Sequence, residues 1–154
     1  PQDLDEIREE LEKEGYLKVN QKKRKQKRSR ASKPETFHAT DGTQISVGKN
    51  DTQNDRLTLK TAKKTDIWLH TQKIPGSHVI IHDANPTDQT LTEAATLAAY
   101  FSKAQQSAHV PVDYVAVKRV HKPNGAKPGL VIYEGQSTLI VDPDEQLVNQ
   151  LRQV

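Results

Sequence analysis

Residues 63–82 read KKTDIWLHTQKIPGSHVIIH. Two apolar runs, Ile67–Leu69 and Val79–Ile81, flank a Pro75-Gly76-Ser77 turn. Short β-rich runs on either side of a Pro-Gly-Ser cluster predict a hairpin. One of its faces would be core. The other would be polar and able to take up protons, because the stretch holds the only Trp and three of the six His. Strand register decides which residues share a face. With His70 opposite His78 both lie on one side, and a slip of one residue sends one of them to the other.

Working upstream, Thr36–Ala39 and Gln44–Val47 flank Thr40-Asp41-Gly42-Thr43. Asp-Gly between β-type segments predicts a second hairpin. Asn50 or Asp51 can cap a helix running to about Lys63. Downstream, Ala84–Gln89 reads as a loop. Leu91–Ser107 predicts the longest helix, with Leu91, Ala94, Ala95, Ala98 and Phe101 on one face and Thr90 or Thr92 as cap. Val112–Val120 is an expected strand. Leu130–Tyr133 and Thr138–Val141 are expected to form a hairpin around Glu134-Gly135-Gln136. A last short helix, 142–154, would be capped by Asp142 with Pro143 in its first turn. The order predicts an α+β fold: a mixed or antiparallel sheet with hairpins, one long Ala-rich helix packed on it, and short flanking helices.

The 154 residues carry a net charge of +3, unevenly placed. Residues 1–17 hold seven acids against Arg8 and Lys13, and Leu4, Ile7 and Leu11 make a narrow apolar stripe. This predicts the end of a coiled coil. Residues 18–33 hold nine Lys or Arg and no acid, which predicts a basic linker. The globular domain is expected over 34–154. The chain begins without Met, so a fragment of a longer protein is expected. The acidic start does not look like a secretory signal. No apolar run reaches the roughly 18 residues of a membrane helix. The absence of Cys excludes disulfides and thiolate metal sites, and suits a cytoplasmic location.

Three chemistries can be weighed. His70, His78 and His82, with Asp66 and Asp83 near in sequence, give a weak zinc pattern. Ser77 lacks the G-x-S-x-G elbow of a nucleophile, and a turn explains its Gly-Ser pair. No catalytic residue, metal or cofactor is therefore expected. The cations make the better case. Lys49, Lys60, Lys63, Lys64, Lys73, Lys118, Arg119, Lys122 and Lys127 fall at strand ends and loops. Phosphate positioning by such lysines is the expected mode. Asn50 and Asn54 add amides, and Trp68 is either core or a platform for a base. In the linker, Lys22, Lys23, Arg24, Lys25, Lys27 and Arg28 would contact phosphates in a salt-dependent way.

Several longer motifs go further. GKN-x-x-QND from Gly48, D-x-W-L-H from Asp66, PGSHV from Pro75, EAA-x-LAA-x-FSK from Glu93 and KP-x-GAKPG from Lys122 occur in order within about residues 36–142. Together they resemble the C-terminal RNA-binding domain of the NFACT family, some of whose members are known as fibronectin-binding protein A-like. The resemblance implies a factor that binds a large ribosomal subunit carrying the peptidyl-tRNA of a stalled chain. It would recruit tRNA, alanyl-tRNA in bacteria, so that the chain receives a C-terminal tail marking it for degradation. The tailing chemistry would belong to the ribosome. The alternative is a fibronectin-binding surface adhesin module, at the cell surface. Matching the motifs, the expected RNA contacts in the domain are Lys49, Asn50, Asn54, Lys60, Lys63, Lys64, Trp68, His70, Gly76, Ser77, His78, Lys122 and Lys127. Asp55 is expected to order a neighbour, and Gly129 to serve the backbone.

Overall fold

The computed structural model describes residues 33–152. The expected coiled-coil end, and the linker with Lys22, Lys23, Arg24, Lys25, Lys27 and Arg28, lie outside the described residues. Ile67–Thr71 (β3) and Val79–Ile81 (β4) pair antiparallel, with Ile67 opposite Ile81, Trp68 opposite Ile80 and Leu69 opposite Val79. This register puts His70 and His78 on one side, their rings 5.5 Å apart. Glu35–His38 (β1) and Gln44–Val47 (β2) form the Asp-Gly hairpin, with Gly42 at φ +94°. A positive φ of this kind is easy only for glycine.

Six strands make one sheet in the order β1-β2-β4-β3-β5-β8, where β5 is Val110–Ala116 and β8 is Ser137–Val141, and every pairing is antiparallel. The α+β expectation holds, and the sheet is antiparallel rather than mixed. Alternation splits the strands into two faces. Phe37, Ile45, Val47, Leu69, Val79, Ile81 and Val112 pack with the alanines of the helix Asp88–Tyr100 (α2). Trp68, Ile80 and Val115 form a second, smaller core on the other face, with Leu57, Val117 and Val120.

Several boundaries differ from expectation, each for a local reason. Helix α1 spans Asp51–Arg56, and the Asn50 side chain caps it by accepting from Gln53 N. It then widens into a π-helical turn, Leu57–Thr61, closed by Ala62 N donating to Leu57 O. Helix α2 spans Asp88–Tyr100, starting and ending earlier than expected. Thr87, not Thr90 or Thr92, is its cap. It ends because residues beyond Tyr100 bond elsewhere: Ser77 N donates to Phe101 O and Lys103 N to Pro75 O.

Strand β5 covers Val110–Ala116, followed by a 3-10 turn, Val117–Arg119, and a two-residue strand, Val120–His121 (β6). The expected single strand breaks because Val117 N donates to Asp66 O and Lys118 N to Lys64 O. The expected hairpin of 130–133 with 138–141 does not form. Ile132–Tyr133 (β7) pairs with β6, while Ser137–Val141 (β8) joins the main sheet beside β5. Buried Asp113 explains the split: it accepts from the Tyr133 hydroxyl at 2.7 Å and from Thr138 Oγ1 at 2.8 Å. Both segments converge on β5 instead of on each other. Helix α3, Glu145–Arg152, is capped by Asp144, whose Oδ1 accepts from Leu147 N. Asp142 accepts from His109 N instead.

Candidate nucleic-acid interface

Three motif loops meet at one buried side chain, His78, which is 1% exposed. Its backbone carbonyl accepts from Gly48 N at 3.0 Å, and its backbone N–H donates to Asn54 Oδ1 at 3.0 Å. Its ring lies 2.8 Å from Thr58 Oγ1 through Nδ1 and 3.2 Å from Gly129 O through Nε2. The carbonyl can only accept, so the pair of contacts assigns the proton to Nε2 and lets the threonine hydroxyl donate to Nδ1. Burial, then the neighbouring His70, pushes the His78 ring down to about 4. Asp55 completes the tie. It accepts from Gly129 N at 2.9 Å and pairs with Lys122 Nζ at 3.2 Å. Lys122 also donates to Lys127 O at 2.7 Å.

Half of the expected RNA contacts in this region are therefore internal. Asn54 is 3% exposed and holds His78. The His70 ring nitrogens face Thr71 O at 2.7 Å and Gly76 O at 3.2 Å, and burial lowers its pKa. Gly76 is needed for close approach: a Cβ there would stand 2.7 Å from Ser102 Cβ. Lys122 is engaged by a carboxylate and carbonyls. Trp68 is core at 1% exposure, stacked on His70 and packed against Tyr133 with ring centroids 4.6 Å apart. It offers no face to a base. Because it is the only Trp, its fluorescence gives a direct check. Saturating RNA should leave its emission maximum unmoved and iodide should barely quench it. A strong quench or red shift would put Trp68 back on the surface.

The exposed candidates fall at the two ends of the strands. At the Ile67 end, Lys60, Lys63, Lys64, Lys118 and Arg119 are exposed. None has an ion-pair partner among the described residues. Lys118 and Arg119 stand among the cations expected at strand ends and loops, though not in the narrower set of expected RNA contacts. The backbone bonds from Val117 N to Asp66 O, 2.8 Å, and from Lys118 N to Lys64 O, 3.1 Å, show that their turn abuts the Lys63-Lys64 loop. Asp66, 4% exposed, shapes that loop by accepting from Lys63 N at 2.9 Å. His82 Nδ1 stands 3.3 Å from the same carboxylate, and its Nε2 stands 2.8 Å from Ser46 Oγ.

This Ser-His-Asp order resembles a nucleophilic triad. Ser46, however, lies inside β2, paired on both sides. A nucleophile needs free N–H groups aimed at an oxyanion, and a strand interior commits its amides to the ladder. The arrangement braces the basic loop. Among the described residues, no group of three or more His, Asp or Glu could hold a metal ion. No helix there is long and apolar enough to cross a membrane. At the other end of the strands, Lys49, Asn50, Gly76 and Ser77 line a groove of about 520 Å³. Lys127 is exposed on its loop.

Residues 33–137 match the family described as "NFACT protein RNA binding domain". The chain is 52% identical to the Rqc2 homolog RqcH of Bacillus subtilis, over 99% of this chain and 27% of that protein. It is 52% identical to the Rqc2 homolog RqcH of Streptococcus suis, over 97% of the chain, again 27% of the relative. Among solved structures, it is similar to the C-terminal part of the fibronectin/fibrinogen-binding protein of Streptococcus suis. The TM-score is 0.76 at 54% identity, covering 77% of this chain and 49% of that one. The chain thus spans about 27% of the length of the curated relatives it matches.

Proposed function

Since this chain belongs to the NFACT RNA-binding domain family, we propose that it is the RNA-gripping module of a ribosome-associated quality-control factor in the cytoplasm. In this reading it holds RNA of a stalled large ribosomal subunit and of tRNA while a C-terminal alanine tail is added to the nascent chain. It performs no covalent step itself. Its relatives' name, Rqc2 homolog RqcH, supports the quality-control setting. The observation that carries the RNA-facing role is the set of exposed cations Lys60, Lys63, Lys64, Lys118 and Arg119, none with an ion-pair partner among the described residues. Two chain segments far apart in sequence are bonded together there to present them. Lys23, Arg24, Lys25 and the other linker cations add charge of the same sign.

Such contacts position phosphates and carry little base preference. Filter binding of tRNA across a salt series tests the reading. The Lys63→Ala/Lys64→Ala double variant should lose about fivefold to tenfold in affinity and flatten the log-log salt slope by roughly one to two. A flat salt response of the wild type would remove the proposal.

The alternative reading, a fibronectin-binding module, rests on the printed name of the Streptococcus suis structure alone. Capture on fibronectin that survives nuclease treatment would support it.

A further inference from the structure

The basic edge leaves the groove at the opposite end of the sheet without a role. It runs between the Gly48-Lys49-Asn50 loop and the segment Tyr100–Lys103 that follows helix α2, over the Pro75-Gly76-Ser77 turn. We propose that it takes one unpaired nucleotide of the bound RNA, with the phosphate between Lys49 and Lys103 and the base against Tyr100. The inference rests on the RNA-binding reading but assigns a separate site with a different preference.

Size comes first. About 520 Å³ falls within the roughly 300–1,000 Å³ typical of small-ligand clefts. It is too confined for a duplex. The floor is apolar, made from Val47, Gly76 and Phe101. It is held open by a built contact, the bridge of Gly76 to Ser102, where any side chain at Gly76 would collide.

The rim is polar and unsatisfied. Lys49 and Lys103 are exposed. Their ammonium groups, the Tyr100 hydroxyl and the Ser77 hydroxyl have no partner among the described residues. Of the groove's two carboxylates, Glu35 and Asp51, only Glu35 is engaged in an ion pair among the described residues. Glu35 is bound by Arg152 at 2.6 Å. Asp51 lies against the Gly129 backbone, where an added Cβ would meet its Oδ1 at 2.7 Å. Neither Lys49 nor Lys103 forms an ion pair with either carboxylate or with any other described residue, so two ammonium groups stand at the rim of an aromatic-walled slot.

Phosphate, flat ring and free hydrogen-bonding groups are what an unstacked nucleotide presents, and paired bases in an A-form helix cannot reach such a slot. Stacking on an aromatic side chain tolerates any base. The site should accordingly select for strand state and not for sequence.

The test uses the full 154-residue chain with two RNA probes, a single-stranded hexanucleotide and a blunt duplex of matched mass. Two variants address the groove: Lys49→Ala/Lys103→Ala removes its charge, and Ser77→Phe fills it. Each should weaken the hexanucleotide about tenfold and leave the duplex within about twofold. Thermal melts confirm that both variants are folded. In the wild type, 5′-AMP should shift the amide resonances of Lys49 and Ser77 saturably. Equal loss on both probes would make the lysines part of a general field and overturn the site. So would no loss on the hexanucleotide, or loss with the lysine variant alone. If the wild type binds neither probe, the RNA-binding reading itself has failed. If it binds both and the variants do not discriminate, only the groove has.

Discussion

Gly48→Ala should destabilise the domain by about 3–5 kcal/mol, enough to lower the thermal midpoint by roughly 10 °C or more. The backbone at Gly48 is not unusual in its angles. The obstacle is space. A Cβ there would stand 2.0 Å from Asn54 Oδ1 and 3.1 Å from Asn54 Cγ. Asn54 cannot simply rotate away, since that oxygen accepts the backbone N–H of His78. Displacing it leaves a buried donor unpaired, which adds a desolvation cost to the overpacking. A double-mutant cycle isolates the cause. With Asn54→Ala already in place the obstruction is gone, so adding Gly48→Ala should cost far less than it does alone. Additive losses would show that the collision is not the source.

The second large effect is acid lability centred on His78. Its folded pKa is about 4, against 6.5 for the free side chain. The unfolded chain therefore takes up this proton first as pH falls. The associated stability is fully present above about pH 6.5. It is lost progressively toward pH 4, and amounts to about 3 kcal/mol. His70 is shifted in the same direction by its own burial and adds to the slope. Urea unfolding at a series of pH values between 7 and 4 would measure this. His78→Gln should be less stable at neutral pH, since Thr58 and Gly129 lose their ring partner. Its curve should nevertheless be flatter across the same window. An equally steep curve for the variant would assign the acid sensitivity to other groups.

Both predictions concern residues that, from the sequence, belong with RNA contacts. Polar motif residues at turns read equally well as a binding surface or as the internal wiring of loops. The difference lies in long-range partners. Asn54 and His78 are joined across 24 residues, and Asp55 and Gly129 across 74. Local pattern carries no information about those pairings.

What local pattern does carry came through. Apolar runs around Pro75-Gly76-Ser77 located β3 and β4, the Asp41-Gly42 turn located β1 and β2, and the alanine face located α2. The β7–β8 hairpin misled because two β-type segments around a glycine turn do satisfy the local rule. Gly135 does turn the chain, at φ +77°. But Asp113, more than 20 residues upstream of that turn, sets which neighbour each segment takes. Register was the other undecidable point. His70 opposite His78 was one of two possible faces, and the long turn between the strands gives no means of choosing. For the surface, the lysines of the 60–64 segment were legible as cations. Their union with Lys118 and Arg119 was not, because it rests on backbone bonds between segments more than 50 residues apart.

The last helix has a mechanical consequence. Strands β1 and β8 lie at opposite margins of the sheet, yet α3, which follows β8, returns to β1. There Arg152 clasps Glu35 and covers the ring of Phe37. The helix works as a belt, buckled at the first strand of the domain. Tension applied through the chain ahead of Pro34 would act on β1, a margin strand that could otherwise peel from β2 one bond at a time. With the buckle closed, the pull is shared with α3 and, through Val148 and Leu151, with the packed centre. The domain is thereby braced at its first strand.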